Sequence, residues 1–266
     1  MPEAPVVARA ALHMWEEPCI SGTNGSGTVF FTGCVLRCVF CQNSDISRDH
    51  FGKTVTPQRL RAIFEDLIAQ GAHNINLVSP TPYALAIREA LETPLGVPVV
   101  WNTGGYERVE TLRAMEGRVQ IWLPDLKYAD SELAARYSDA EDYFEQTTAA
   151  ILEMFRQVGP YVMEDGLLKS GVVIRHLMLP GALANTKAVM DWVAEQFRPG
   201  DVLFSLMAQY TPQKNADELL ARRVTKMEYR AALTYMENLG ITDGYQQDAA
   251  SAKSEYTPSF DLTGVE

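Results

Sequence analysis

Gly33-Cys34-Val35-Leu36-Arg37-Cys38-Val39-Phe40-Cys41-Gln42-Asn43 carries three cysteines in a C-x3-C-x2-C spacing, with an aromatic directly before the last. Three thiolates in so short a loop converge on one point. That donor set suits a cubane iron–sulfur cluster in which the protein holds three irons and leaves the fourth open to a substrate or cofactor. Two other readings of the same cysteines stay open. A zinc site needs a fourth ligand, here Cys19 or a distant histidine. Four cysteines also allow disulfides, although the disulfide-stapled class is far shorter than 266 residues.

Residues 28–32, just before the loop, read as a strand, so the cysteines follow a strand's C-terminal end. Thr56-Pro57 opens a helix with Leu60, Ile63, Phe64, Leu67 and Ile68 on one face and Gly71 at its end. Strand-like runs at 74–78, 98–102, 119–123, 172–179 and 202–207 then alternate with helical patterns. One helix runs through Ala84, Ile87 and Leu91, and a short one spans 107–115. A strong stripe follows a polar stretch, with Phe144, Thr148, Ile151, Leu152 and Phe155 on it. Val189, Trp192, Val193 and Phe197 mark the next helix, and 226–239 the last, with Gly240 as its cap. The expected fold is α/β, a partial (β/α)6 TIM-like barrel with the cluster loop after its first strand. Residues 1–244 read as one domain with an N-terminal extension over about 1–25. Residues 245–266 read as a tail that docks on the barrel through Tyr256, Phe260 and Leu262.

The chain is 47% hydrophobic, with a net charge of −11 and a pI near 4.9. No run of Lys and Arg makes the basic face of a nucleic-acid binder. No stretch is apolar enough to span a bilayer, and the N-terminus lacks the basic and apolar regions of a signal peptide. A cytoplasmic setting is expected, and its reducing character suits exposed cluster thiolates.

At the cysteine loop the chain resembles the radical S-adenosylmethionine superfamily. Within it, the chain looks most like the activating enzymes of glycyl-radical proteins, such as pyruvate formate-lyase activating enzyme, and their activating-enzyme-like branch. Ser26-Gly27-Thr28, Phe31-Thr32-Gly33-Cys34, Cys41-Gln42-Asn43, Thr54-Val55-Thr56, Asp125-Leu126-Lys127 and residues 175–181 carry the likeness, which runs from Glu17 to about Leu239. It implies a [4Fe-4S] cluster on Cys34, Cys38 and Cys41, with S-adenosylmethionine chelating the open iron. Reductive cleavage would give methionine and a 5′-deoxyadenosyl radical that abstracts a hydrogen atom. The electron would come from a flavodoxin- or ferredoxin-type reductant, because only Cys19 lies outside the motif and no second cluster is available. The substrate is either a glycyl-radical protein or a small molecule or peptide.

The resemblance also assigns the cofactor contacts. Phe40 would pack near the adenine, the alternative being a core aromatic. Asp125 would accept from the ribose hydroxyls, and Lys127 would pair with the methionine carboxylate. The two lie two apart at a strand end, which also suits a plain ion pair. Arg175 would bind the carboxylate and Leu177 would touch adenine, whereas His176, on the opposite face, reads as a packed strand histidine. Activating enzymes carry a Gly-Gly-Glu-type run for the cofactor's amino group. Here Ser79-Pro80-Thr81-Pro82 replaces it, and Ser79 and Thr81 would substitute at lower charge, or merely open a helix. Asn102-Thr103 stands where some relatives place an Asp-Thr pair at a monovalent-cation site, so Asn102 would bind a cation weakly or not at all. Tyr210 replaces a frequent His, and would bond the cofactor or substrate or be satisfied locally. Cys19 is either a buried hydrophobe or a thiol donor above the site.

Overall fold

The computed structural model describes residues 4–212, 217–247 and 258–266. Among them are the strands β1 (Val6–His13), β2 (Ser26–Phe31), β3 (Lys53–Thr54), β4 (Ile75–Val78), β5 (Val99–Thr103), β6 (Ile121–Pro124), β7 (Val162–Glu164), β8 (Leu167–Leu177), β9 (Leu203–Met207) and β10 (Gly244–Gln247). They form one sheet in the order β10-β9-β8-β6-β5-β4-β2-β1-β3, with β7 folded back on β8. Every pairing from β10 to β2 is parallel. The helices α3 (Pro57–Ala69), α4 (Ala84–Ala90), α5 (Val109–Ala114), α7 (Tyr143–Val158), α8 (Leu183–Gln196) and α9 (Lys226–Asn238) alternate with these strands. The expected α/β partial barrel is therefore present.

It holds seven parallel strands, one more than the periodicity shows. The seventh, Gly244–Gln247, is too short and polar to stand out, yet Tyr245 and Gln247 pair in register with Ser205 and Met207. Gly244 is there for contact: a Cβ on it would fall 1.9 Å from the Phe204 carbonyl oxygen. The N-terminal stretch, expected as an extension, contains β1, which pairs antiparallel with β2. The β7–β8 hairpin also escaped the pattern, although Asp165-Gly166 is its signal. Both residues take positive φ, +51° and +77°, as a two-residue type I′ turn requires. The polar stretch before α7 is itself a helix, α6 (Ser131–Ser138), capped by Asp130.

The tail outlines a further contact. Leu262 N–H donates to the Ala8 carbonyl at 3.0 Å, and Ala10 N–H to the Thr263 carbonyl at 2.8 Å. Phe260 meets the Phe30 ring edge to face at 5.5 Å. The β1 edge is thus covered by β3 at Val6 and Val7 and by the tail beyond them, which hides a strand edge from other chains. Tyr256, the third expected anchor, lies outside the described residues.

Two main cores flank the sheet, and a third, small cluster of Ala8, Phe30, Ile46 and Val78 lies under Phe260. The larger lies between sheet and helices and includes Phe31, Phe64, Trp101, Trp122 and Met154. The smaller fills the lumen with Val100, Ile121, Leu123, Val173 and Leu203, joined by Cys19 and Ile20. The last two come from α1 (Pro18–Ser21), on the β1–β2 connection, which enters the lumen.

Candidate functional site

Strand alternation sets the layers of the lumen. Leu123, Val173 and Leu203 are apolar, and two residues further along the same strands stand Asp125, Arg175 and Ser205. Backbone pairing brings Asp125 beside Arg175. The Arg175 guanidinium donates to Asp125 Oδ1 at 2.9 Å, to Asn102 Oδ1 at 2.8 Å and to Glu16 Oε2 at 3.3 Å. Lys127 pairs with the other Asp125 oxygen. Asn102 donates to Glu16 Oε1 at 3.1 Å. Glu17, the neighbour of Glu16, accepts from Ser205 at 2.8 Å and from Gln247 at 3.2 and 3.1 Å. Three carboxyl groups and two cations therefore share one buried chamber.

Burial pushes the Asp125 carboxyl up, but Arg175 and Lys127 more than offset it, and the group sits below the usual carboxylate range. Burial likewise opposes the charges of Lys127 and Arg175. Burial is the largest single effect, but Asp125 together with Cys38 for Lys127, and with Glu16 and Glu17 for Arg175, more than offsets it, so both are raised and stay protonated. Glu17 is raised, because burial exceeds the help of Arg175, Ser205 and Gln247.

The cysteine loop adjoins this layer: Leu36 lies against Gly104, and the Lys127 charge acts on Cys34 and Cys38. Its backbone is held by α6: Arg37 N–H donates to the Ser138 carbonyl at 3.3 Å and Val39 N–H to the Tyr137 carbonyl at 2.9 Å. Ser138 donates its hydroxyl to Cys38 Sγ at 3.0 Å, and the Ser47 hydroxyl lies 3.4 Å from Cys41 Sγ. All four cysteines are free thiols, so the disulfide reading falls away. Burial pushes the Cys34 thiol up to about 11 and raises Cys38 as well, and the Lys127 charge works against both shifts. Such thiols become thiolates on binding a metal. No three His, Cys, Asp or Glu among the described residues are yet gathered to ion-holding distance, so the loop is a donor set and not a finished cage. Its chemistry fits an iron–sulfur cluster: three soft donors, hydroxyls on the sulfurs and a lysine beside them.

Of the expected contacts, Asn102, Asp125, Lys127 and Arg175 come together. Phe40 and Tyr210 form a second pair, with rings edge to face at 6.1 Å, and the Tyr210 hydroxyl donates to the Leu220 carbonyl at 2.8 Å. Leu177 lies level with Met207, one step beyond Arg175. Ser79 takes a left-handed φ of +57° and donates its N–H to the Asn102 carbonyl. The Thr81 hydroxyl is turned elsewhere. It donates to Glu107 Oε1 at 2.5 Å, as do Thr103 at 2.6 Å and Trp101 at 3.2 Å, on the helix side of β5. His176 is a packed strand histidine. Its Nδ1 lies 2.7 Å from the Leu126 carbonyl and must carry the proton, so Nε2 accepts from Thr186 at 3.0 Å. Cys19 sits below the charged layer, in the apolar lumen core, and not above the site.

Sequence reasoning missed Glu16, Glu17, Ser205, Gln247 and Tyr143. The Tyr143 hydroxyl lies 2.7 and 2.8 Å from the Gly104 and Asp125 carbonyls and accepts Lys127 N–H at 3.1 Å, so it ties two strand ends to α7. Adjacent acids before Pro18 look like an exposed helix start, and nothing local says that they enter a barrel.

A parallel partial barrel with a three-cysteine loop beside a lumen of paired charges is the architecture of a cofactor-dependent enzyme. The sequence profile of the radical SAM superfamily matches residues 28–193, and the chain belongs to that superfamily. It is 30% identical over 245 residues to an uncharacterized protein of Methanocaldococcus jannaschii, covering 86% of this chain and 66% of that protein, just under two thirds of its length. Solved structures share the fold. Streptococcus suis SuiB bound to precursor peptide SuiA gives a TM-score of 0.59 at 12% identity, over 82% of this chain and 47% of SuiB. SuiB bound to S-adenosylmethionine gives 0.57 at 12%, over 86% and 52%. A spore photoproduct lyase variant gives 0.58 at 13%, over 90% and 80%. The cofactors of this superfamily are a [4Fe-4S] cluster and S-adenosylmethionine. Among the described residues no helix is long and apolar enough to cross a membrane.

Proposed function

We propose that the protein is an activating-enzyme-like member of its superfamily, abstracting hydrogen from a glycine of a partner protein in the cytoplasm. One observation carries the chemistry: the cysteine loop adjoins the Asp125, Lys127 and Arg175 layer, with Leu36 against Gly104 just past β5 and the Lys127 charge acting on Cys34 and Cys38. Held by Cys34, Cys38 and Cys41, a [4Fe-4S] cluster would supply the one-electron chemistry that cleaves S-adenosylmethionine to methionine and a 5′-deoxyadenosyl radical. The protein's share is placement and exclusion of water. Cys34, Cys38 and Cys41 hold the cluster. Arg175 and Lys127 take the methionine carboxylate, Asp125 the ribose hydroxyls, and Phe40, Tyr210 and Leu177 frame the adenine. Asn102 and Ser79 hold the end of β5 against the end of β4. A flavodoxin- or ferredoxin-type protein delivers the electron.

A second reading is modification of a small molecule or peptide. It is favoured by a cavity of about 410 Å³ beside the chamber, lined by Trp15, Glu16, Gln209, Tyr245 and Gln247 among others. The fold neighbour SuiB, bound to its precursor peptide, keeps that reading open.

The reaction is tested by anaerobic reconstitution. Dithionite and S-adenosylmethionine should yield 5′-deoxyadenosine from the loaded protein, and a Cys38→Ala protein should yield none. A loaded cluster without that product sinks the proposal. For the substrate, a glycyl-radical protein deuterated at glycine should pass deuterium into 5′-deoxyadenosine. Deuterium uptake from a small substrate instead would move the assignment to the second reading.

A further inference from the structure

We propose that Glu16 is a cofactor-binding residue, and that its carboxylate receives the amino group of S-adenosylmethionine. The inference rests on the radical SAM reading above and extends it to a residue outside the barrel strands.

Three observations carry it. First, the end of β4 offers no carboxylate, since it runs Ser79-Pro80-Thr81-Pro82. The Thr81 hydroxyl is committed to the buried Glu107, on the helix side of the sheet. Second, a carboxylate arrives at the neighbouring strand end from elsewhere. Glu16 reaches in on the β1–β2 connection, accepts from Asn102 at 3.1 Å and meets Arg175 at 3.3 Å. Asn102 is level with Val78, the last residue of β4. Third, the chamber carries an excess of acid. Glu16, Glu17 and Asp125 face Lys127 and Arg175, the His13 that Glu16 also faces is held toward its neutral form by burial, and Glu17 is already satisfied by Ser205 and Gln247. S-adenosylmethionine brings a sulfonium, an amino group and one carboxylate. Its carboxylate suits the two cations, and its amino group needs an acceptor. Glu16 has both oxygens in the chamber, on donors read as cofactor contacts, and its side chain is only 12% exposed.

The test compares two ligands by calorimetry on the reconstituted protein with its cluster in the oxidised 2+ state and no reductant present. One is S-adenosylmethionine, the other its analogue with hydrogen in place of the amino group. A charge-assisted hydrogen bond predicts that Glu16→Gln weakens S-adenosylmethionine by about tenfold or more and shifts the analogue by less than about twofold. Equal losses for both ligands would make Glu16 structural. Unchanged or tighter binding of S-adenosylmethionine would make it only a resident competitor on Arg175. Either result overturns the inference. Iron content and melting temperature report whether the variant folds; if it does not, Glu16→Asp, which keeps the charge but shortens the reach, must show the same selective loss. Failure of the wild-type protein to bind S-adenosylmethionine at all would count against the functional reading itself.

Discussion

Arg175 holds Asp125, Glu16 and Asn102 at once, in a chamber where each charge depends on the others. Replacing it with methionine keeps much of the volume but leaves carboxylates buried without their cation. Such uncompensated charge costs about 3–5 kcal/mol, so Arg175→Met should lower the denaturant midpoint strongly. A small change would show that the lumen is wetter than its burial indicates. The adjacent His176 responds to pH. Burial lowers its pKa from 6.5 to about 4, so the unfolded chain binds more protons between those values. Its stabilising effect is full above about pH 6.5 and is lost as pH falls toward 4. Between pH 7 and 5 this single group removes about 2 kcal/mol. A His176→Gln protein should lose that much less on the same acid step, as urea titrations at the two pH values would show. Residue chemistry was partly legible in the sequence. Asp125, Lys127 and Arg175 fall at strand ends with lumen-facing alternation. Glu16 was not legible, because only the path of a connection turns it inward.

At the scale of elements, α7 does more than cover the sheet. Tyr143 in its first turn reaches the Gly104 and Asp125 carbonyls and the Lys127 N–H. Gly105 makes that approach possible, since a Cβ there would fall 2.1 Å from the Asp125 carbonyl oxygen. Tyr143→Phe leaves these buried backbone groups short of partners, at a cost of about 1–3 kcal/mol. It should also weaken S-adenosylmethionine binding, because Asp125 and Lys127 lose their tether. Equal affinity in the variant would confine Tyr143 to stability. Helices with long apolar stripes were readable from periodicity, including α3 with Thr56 accepting from Arg59 N–H at 3.1 Å. β10 and β7 were not, because strands of four and three residues carry too few positions to show alternation.

For the whole molecule, the cluster loop, the β1–β2 connection and the strand ends meet around one chamber, so filling it should stabilise the entire fold. A ligand at about one hundred times its Kd adds about 2.7 kcal/mol. For a chain of this size that raises Tm by about 5–10 °C. Scanning calorimetry of the cluster-loaded protein with and without S-adenosylmethionine checks this, and an unmoved Tm would mean that the ligand does not enter the native fold. The barrel class was legible because each βα unit repeats the same apolar pattern. The lumen plug was not, since it is set by contacts between Glu17 and residues 188 and 230 positions away.

The tail on β1 bears on how the chain is made. Ala8 and Ala10 leave the ribosome some 250 residues before their partners Leu262 and Thr263. Throughout synthesis that stretch of β1 has an open edge, available to any other nascent strand. The barrel can build from β2 onward in order of appearance, but its rim is sealed only after translation has passed Thr263.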